Sequence, residues 1–259
     1  MALRLEGVVK RFHEGTADER VALDAISLEL ADGTFMLVIG SNGSSKSTLL
    51  NIVSGQLAPD AGSVAIDGND VSKSPETARA AFVARVLQDP MRGTFASMSV
   101  EENLALADMR TSGRSLASAL DARRRRRYAD VLVGFGLGLE NRLGSRVALL
   151  SGGQRQVLAL AMATLHPPRV LLLDEHTAAL DPRTAELVMA ATVRAVEAGG
   201  LTTLMVTHNM QNAIAFGNRL VMMDRGKVLL DVRGEDKHAL SVESLVRRFH
   251  LADDKMLLA

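Results

Sequence analysis

The sequence predicts an α/β domain in which a strand-rich core is interrupted by a helical lobe. Three observations predict it. Short apolar runs such as FMLVIG (Phe35–Gly40) and VLLLD (Val170–Asp174) have the length of strands buried on both faces of a parallel sheet. The first of these runs straight into a glycine-rich string, GSNGSSKST (Gly40–Thr48), followed by helical spacing. From about Asp89 to Pro168 helical patterns replace strand patterns, and then the strands return.

In chain order, Leu3–Val9 alternates as a strand, and Ala22–Leu30 resumes after an acidic loop, His13–Arg20. Behind the buried strand Phe35–Gly40 and its loop, Ser47–Ser54 has helical spacing with Leu49, Leu50, Ile52 and Val53 as its apolar positions. Turn signals at Pro59–Gly62 and Asp67–Asp70 flank a short strand, Ser63–Ile66, and Val83–Gln88 reads as another. Helices are expected at Val100–Met109, Ser115–Val133 and Gly152–Leu165, with glycine-rich joints at Gly134–Gly138. Strands return at Val170–Asp174, Thr202–Val206, Leu220–Asp224 and Lys227–Asp231, with helices between them. One domain of 259 residues follows, with residues 1–88 and 169–259 as α/β core and 89–168 as helical lobe.

Composition narrows the function classes. Apolar residues make up 47% of the chain, enough for a sizeable core. Thirty basic residues balance thirty acidic ones, so no whole-protein field draws the chain onto nucleic acid. The absence of cysteine removes disulfides, thiolate metal sites and thiol redox switching together, and fits a cytosolic location. The N-terminus mixes apolar and charged residues too early for a signal peptide, and the apolar runs are far too short to span a bilayer. A membrane role is therefore expected only through a partner. The run Arg123–Arg127 would point all round a helix axis; it reads as a solvated helix, or as a contact for anionic lipid or a partner's acidic loop.

Chemistry concentrates in three strings. A strand, a glycine-rich turn and a helix make an anion cradle, in which backbone N–H groups and the helix N-terminus converge on phosphate oxygens. In GSNGSSKST, Lys46 is expected on the outer phosphates and the Ser47 hydroxyl on magnesium. The expected pattern has Gly directly before that Lys, where the backbone closes on the phosphates; here the residue is Ser45. A side chain forced into that place costs about 1–3 kcal/mol, or roughly 5- to 150-fold in affinity. Ser is small and its hydroxyl can donate to a phosphate, so weakened but not abolished nucleotide binding is expected.

VLLLDE ends a buried strand in two carboxylates. Side chains alternate along a strand, which gives Asp174 to the magnesium side and Glu175 to the water attacking the γ-phosphate. In LSGGQRQ (Leu150–Gln156), Ser151 and Gln154 form a capping box that opens a helix, and the two glycines leave its end bare for a phosphate. His208, just after the strand Thr202–Val206, is placed to reach a γ-phosphate at the sheet's carboxyl edge. Gln88, ending Val83–Gln88, is placed to sense magnesium and water. His176 reads as a turn residue or as a chemical group beside Glu175. Phe12, after the first strand, reads as a ring for adenine or as a core residue.

Taken in this order, the strings resemble the nucleotide-binding subunit of an ATP-binding-cassette (ABC) transporter, over nearly the whole chain. GSNGSSKST resembles the Walker A loop, Gln88 the Q-loop, LSGGQRQ the signature, VLLLDE Walker B, Asp181 in AALD the D-loop and His208 the switch histidine. The resemblance implies a P-loop NTPase (RecA-like) core with an antiparallel β-subdomain and an inserted α-helical lobe. DEHTAALDPRTAE, with His where most relatives have Pro, resembles one importer subgroup, as do MRGTFASMSVEENLALA, LMVTHNMQNA and GNRLVMMDRGKVLLDV. That subgroup works with a substrate-binding protein and a permease for tryptophan, tyrosine or related small solutes.

What the resemblance implies is a transport-coupled ATP hydrolase using ATP and Mg2+, peripheral on the inner face of the plasma membrane and not bound to nucleic acid. Two copies face head to tail around two ATP molecules. One supplies Phe12, the loop residues Gly40, Ser41, Asn42, Gly43, Ser44, Ser45, Lys46, Ser47 and Thr48, with Gln88, Asp174, Glu175 and His208. The other supplies Ser151, Gly152, Gly153 and Gln154. Ser47, Gln88 and Asp174 would hold the metal; Glu175, His208, Gln88 and Lys46 would act in catalysis. A groove near Gln88 would pass the motion to a permease helix. Two alternatives share the strings: a soluble assembly ATPase like that of iron–sulfur cluster assembly, and a nucleotide-gated module in which Ser45 has removed turnover. A chromosome-maintenance role is disfavoured by the missing heptad insertion.

Overall fold

A computed structural model describes residues 1–109 and 121–257. The chain runs through β1 (Leu3–Phe12), β2 (Arg20–Leu30), β3 (Phe35–Gly40), α1 (Lys46–Ser54), β4 (Ala61–Ile66), β5 (Asn69–Asp70), α2 (Glu76–Arg79) and β6 (Val83–Val86). It continues with α3 (Val100–Asp108), α4 (Ala122–Val133), α5 (Gly152–Thr164), β7 (Val170–Asp174), α6 (Pro182–Gly199) and β8 (Thr203–Val206). It closes with α7 (Met210–Ala215), β9 (Arg219–Asp224), β10 (Lys227–Arg233), α8 (Gly234–His238) and α9 (Val242–Leu257).

Two sheets result. One is antiparallel, in the order β2-β1-β4-β5. The other runs β10-β9-β3-β8-β7-β6, with neighbours parallel except β10, which returns antiparallel beside β9. The larger sheet is a wall between two cores. Met36 and Val38 of β3, with Leu172 of β7, face the core that α1 and the antiparallel sheet close. Leu37 and Ile39, with Leu171 and Leu173, face the core that α5 and α6 close. Strict alternation thus buries both faces of the central strands, which is why they read as unbroken apolar runs.

Several expected boundaries moved. β1 runs on through Phe12 because a bulge between Leu5 and Val8 resets its alternation, so Phe12 ends the strand instead of following it. β6 stops at Val86, which leaves Gln88 on a loop. The helix expected from Ser115 is described from Ala122, where the Asp121 carboxylate accepts from Arg124 N at 2.7 Å; residues 115–120 of that expectation lie outside the described residues.

The arginine run is more than a solvated face. Arg124 and Arg127 lie 3.8 and 2.9 Å from the buried Asp108 of α3, and Arg125 lies 3.2 Å from Glu101. His166 and the Tyr128 hydroxyl also bond Asp108, at 2.7 and 3.1 Å. Burial raises the Asp108 carboxyl, but these hydrogen bonds and the Arg127 charge hold it below its ordinary range. Most of the run therefore fastens α4 to α3, and Arg123 and Arg126 stay exposed.

Candidate functional site

The carboxyl end of β3 feeds the glycine-rich loop, and α1 starts at Lys46. A Cβ on Gly40 would run into the Met223 carbonyl oxygen and Ser44 Oγ, so only glycine lets the loop lie this close to the sheet. Ser45 has φ +72° and ψ 24°, the left-handed region, and caps α1 without a side-chain cap bond. The Lys46 ammonium is folded over the loop and donates to Gly40 O at 2.9 Å, Ser41 O at 3.0 Å and Ser44 Oγ at 3.2 Å. Burial pushes the Lys46 ammonium down, and the Glu175 and Asp174 carboxylates act against that. Phe12 packs into neither core. It lines a cavity with Asn42, Gly43, Ser45, Lys46, Ser47, Thr48 and Glu175, and Lys10 Nζ sits 5.9 Å from its ring centre.

Asp174 ends β7, and Glu175 lies beyond the strand with φ +46°. Strand alternation therefore does not aim Glu175, contrary to the sequence expectation; a left-handed turn does. That turn is fixed by Glu175 N donating to Val206 O at 3.0 Å and Ala178 N donating to Glu175 O at 2.9 Å. Glu175 Oε2 is 3.2 Å from His208 Nδ1, on the loop between β8 and α7. Asp174 shares a second cavity with Ser47 and Gln88. A serine, an aspartate and a glutamine thus line one cavity.

Ser151 accepts from Gln154 N and Gln154 Oε1 accepts from Ser151 N, both at 3.2 Å, so the expected capping box is present. Its glycines do more than bare a helix end. A Cβ on Gly153 would overlap the Thr184 methyl of α6, so that glycine keys α5 against α6; Gly152 stays exposed. Ser151 to Gln154 line neither of the two cavities around the loop. Asp181 caps α6, accepting from Thr184 N at 3.1 Å.

The family described as ABC transporter matches residues 23–178. The tyrosine transport ATP-binding protein of Clostridioides difficile (strain R20291) is 41% identical over 250 residues, 96% of this chain and 99% of that one. The chain belongs to the ABC transporter family. It is an ATP-binding subunit of that family. The aliphatic sulfonates import ATP-binding protein SsuB of Cupriavidus necator is 37% identical over 90% of this chain and 69% of its own. Among solved structures, the ATP-binding cassette MJ0796, a dimer bound to ADP and Pi, is 28% identical, with a TM-score of 0.75 over 89% of this chain and 98% of that one. The fold is the ABC cassette fold, with a P-loop core, antiparallel β-subdomain and helical lobe.

The residues of this ABC subunit fit magnesium. Mg2+ keeps several waters and uses one or two protein oxygens together with substrate phosphates, so the Ser47 hydroxyl and Asp174 carboxylate suffice. No group of three or more acidic, His or Cys residues that would make an all-protein cage occurs among the described residues. Two cations escaped the sequence reading: Arg85, 2.5 Å from Asp174, and the buried Arg79. A signal was available for Arg85 alone, since it interrupts the buried strand Val83–Val86 and a charge there must be paired.

His176 of the ABC subunit stands in the turn that follows β7, the first of its two expected readings, and its ring is turned away from the cavities around the loop. It is 1% exposed, and its Nε2 lies 2.9 Å from Thr192 Oγ1 on α6. Thr192 donates its own proton to Val188 O at 2.9 Å, so its oxygen accepts from His176 and the ring carries its proton on Nε2. Burial pushes this imidazole down to about 4. An unfolded His takes up its proton near pH 6.5, whereas the folded one stays neutral to about pH 4. Below pH 6.5 the unfolded state therefore holds more protons, and stability falls with pH until the folded pKa is passed. Urea unfolding should lose about 2 kcal/mol between pH 7 and pH 5 beyond the loss in His176→Gln. Equal pH dependence in the two proteins would show that His176 titrates normally.

Proposed function

We propose that the chain is the ATP-hydrolysing subunit of an importer, working as a head-to-tail dimer beneath a separate permease. One observation carries the reading: Lys46, Ser47, Asp174, Glu175 and His208 gather at the carboxyl ends of the parallel strands β3, β7 and β8, around a loop that only Gly40 permits. Lys46 and the N-terminus of α1 bind the phosphates, and Phe12 stacks on adenine. Ser47 and Asp174, with Gln88 beside them, would hold magnesium, which neutralises charge on the phosphate oxygens. Glu175 orients and polarises the attacking water, and His208 holds Glu175 and reaches the γ-phosphate. Ser151, Gly152 and Gln154 of a second copy close the site from the far side, as the dimeric form of the similar cassette MJ0796 supports. The apolar groove lined by Val86, Leu87, Phe95, Leu106 and Met162, next to Gln88, receives the permease helix. Among the described residues no helix is long and apolar enough to cross a membrane, which suits a subunit that acts through a membrane partner. The solute is a small molecule, an aromatic amino acid of the tyrosine class, a reading supported by the 41% identity to a tyrosine transport protein.

Ser45 favours a second reading, a motor slowed at nucleotide binding. The conformation argues against it. Ser45 already adopts φ +72° in the folded loop, so its strain weighs on folding and not on nucleotide capture. A left-handed residue with a side chain costs about 1–2 kcal/mol, and glycine's extra freedom when unfolded offsets about 0.5–1. Ser45→Gly should therefore raise unfolding stability by about 0.5–1 kcal/mol and change ATP affinity by less than about threefold. Magnesium-dependent hydrolysis by the chain and by Ser45→Gly, with Glu175→Gln as blank, tests both readings. Comparable rates above the blank support the motor. Turnover only in Ser45→Gly would give the second reading the lead.

A further inference from the structure

Arg85 puts a charge in the middle of a buried strand. Its side chain is 12% exposed, and Nη2 donates to Asp174 Oδ2 at 2.5 Å. Nη1 donates to Asn51 Oδ1 at 2.7 Å and to Gln56 Oε1 at 3.0 Å. One guanidinium therefore ties the end of β7 to α1 and the turn behind it. Its buried Nε–H has no partner, so the site is shaped around Asp174 more than around satisfying the arginine.

The cavity that Arg85 and Asp174 share is also lined by Ser47, Gln88, Asp89 and Arg92. Two guanidinium groups face two carboxylates, and the formal charge is zero. Asp89 is engaged besides, accepting from Met91 N at 2.9 Å. A divalent cation gives up strongly bound water only for ligands that carry net negative charge, and Mg2+ does so reluctantly. This cavity offers none by itself.

We propose that Arg85 is a specificity-determining residue for the metal: by neutralising Asp174 it excludes divalent cations from the site until nucleotide phosphates supply the missing negative charge. The inference rests on the nucleotide-binding reading above. It explains why a cation stands beside the carboxylate that would hold one. Metal then enters with its nucleotide and leaves with it.

Mn2+ binding to the full chain, followed by the electron paramagnetic resonance signal of the free ion, tests this without turnover. The chain, Arg85→Lys, Arg85→Gln and Arg85→Met are titrated first without nucleotide and then with a non-hydrolysable ATP analogue. Without nucleotide, the chain and Arg85→Lys should bind Mn2+ weakly, and the two neutral variants roughly tenfold or more tightly. Adding Asp174→Asn to Arg85→Gln should remove that gain. Equal affinity in the chain and the neutral variants overturns the proposal, as does a gain that survives Asp174→Asn. Loss of folding in both neutral variants overturns it too, because Arg85 would then be a strut of the fold. Failure of the unaltered chain to bind Mn2+ with the analogue is a different failure, that of the nucleotide reading.

Discussion

Glu175→Gln should lower the ATP hydrolysis rate about a hundredfold to ten-thousandfold, the usual contribution of a general base, and leave nucleotide binding intact. The substitution keeps the shape of the side chain and an oxygen for His208, 3.2 Å away in the parent. It removes only the negative charge, to which the proposed function gives the polarising of water. The left-handed turn at Glu175 is held by backbone bonds to Val206 and Ala178, which an amide side chain does not touch. Rate and affinity therefore separate. Single-turnover hydrolysis and binding of a fluorescent ATP analogue, measured on the same preparation, check the pair. A rate within tenfold of the parent would remove Glu175 from the reaction.

The largest expected loss of stability lies at a residue that touches no nucleotide. Arg79 is 1% exposed, and its guanidinium donates to five carbonyl oxygens. Two of them, Ile52 O at 2.6 Å and Val53 O at 3.0 Å, belong to the last turn of α1. Val71, Ser72 and Ser74 supply the others. A cation at a helix C-terminus is favoured by the helix dipole, and this one also satisfies carbonyls that no water reaches. Burial pushes the Arg79 guanidinium down from its ordinary range, with Asp70 acting against that. Arg79→Met fills similar space and leaves the carbonyls unpaired, so it should cost about 3–5 kcal/mol. Arg79→Lys should recover only part, because an ammonium lacks the fork that spans separate carbonyls. Urea unfolding measures the series; a loss under 1 kcal/mol for Arg79→Met would mean that solvent or a shifted loop replaces the guanidinium.

The contrast between these residues shows what a sequence can carry. The gathering of Lys46, Ser47 and Glu175 around one cavity was legible because the strings that carry them have fixed residue types at short fixed spacings, and so was the Ser151–Gln154 box. The alternating burial of β3 and β7 was legible for the same reason, since its period is two. Arg79 was not legible. Its carbonyl partners in α1 lie 26 and 27 positions away, and carbonyls carry no residue identity to be read. Arg85 was half legible: the oddity of a charge in a buried run was visible, but its partner Asp174 lies 89 positions on. The turn position of His176 was legible, but its buried bond was not, because Thr192 sits on the far side of that turn and three turns of helix. Phe12 was placed three residues past the end of its strand because the bulge after Leu5 breaks the alternation on which strand ends are judged.

The sheet that divides the two cores also sets how the molecule comes apart. Each residue pair along β3 and β7 has one member in either core, so neither core can open without stripping cover from strands that the other needs. The helices on one side and the antiparallel layer on the other are therefore not separable folding units, although they look like two attachments to a common plate. Loss of either leaves a half-wetted wall of aliphatic side chains, and the cooperativity of the whole chain resides in that wall.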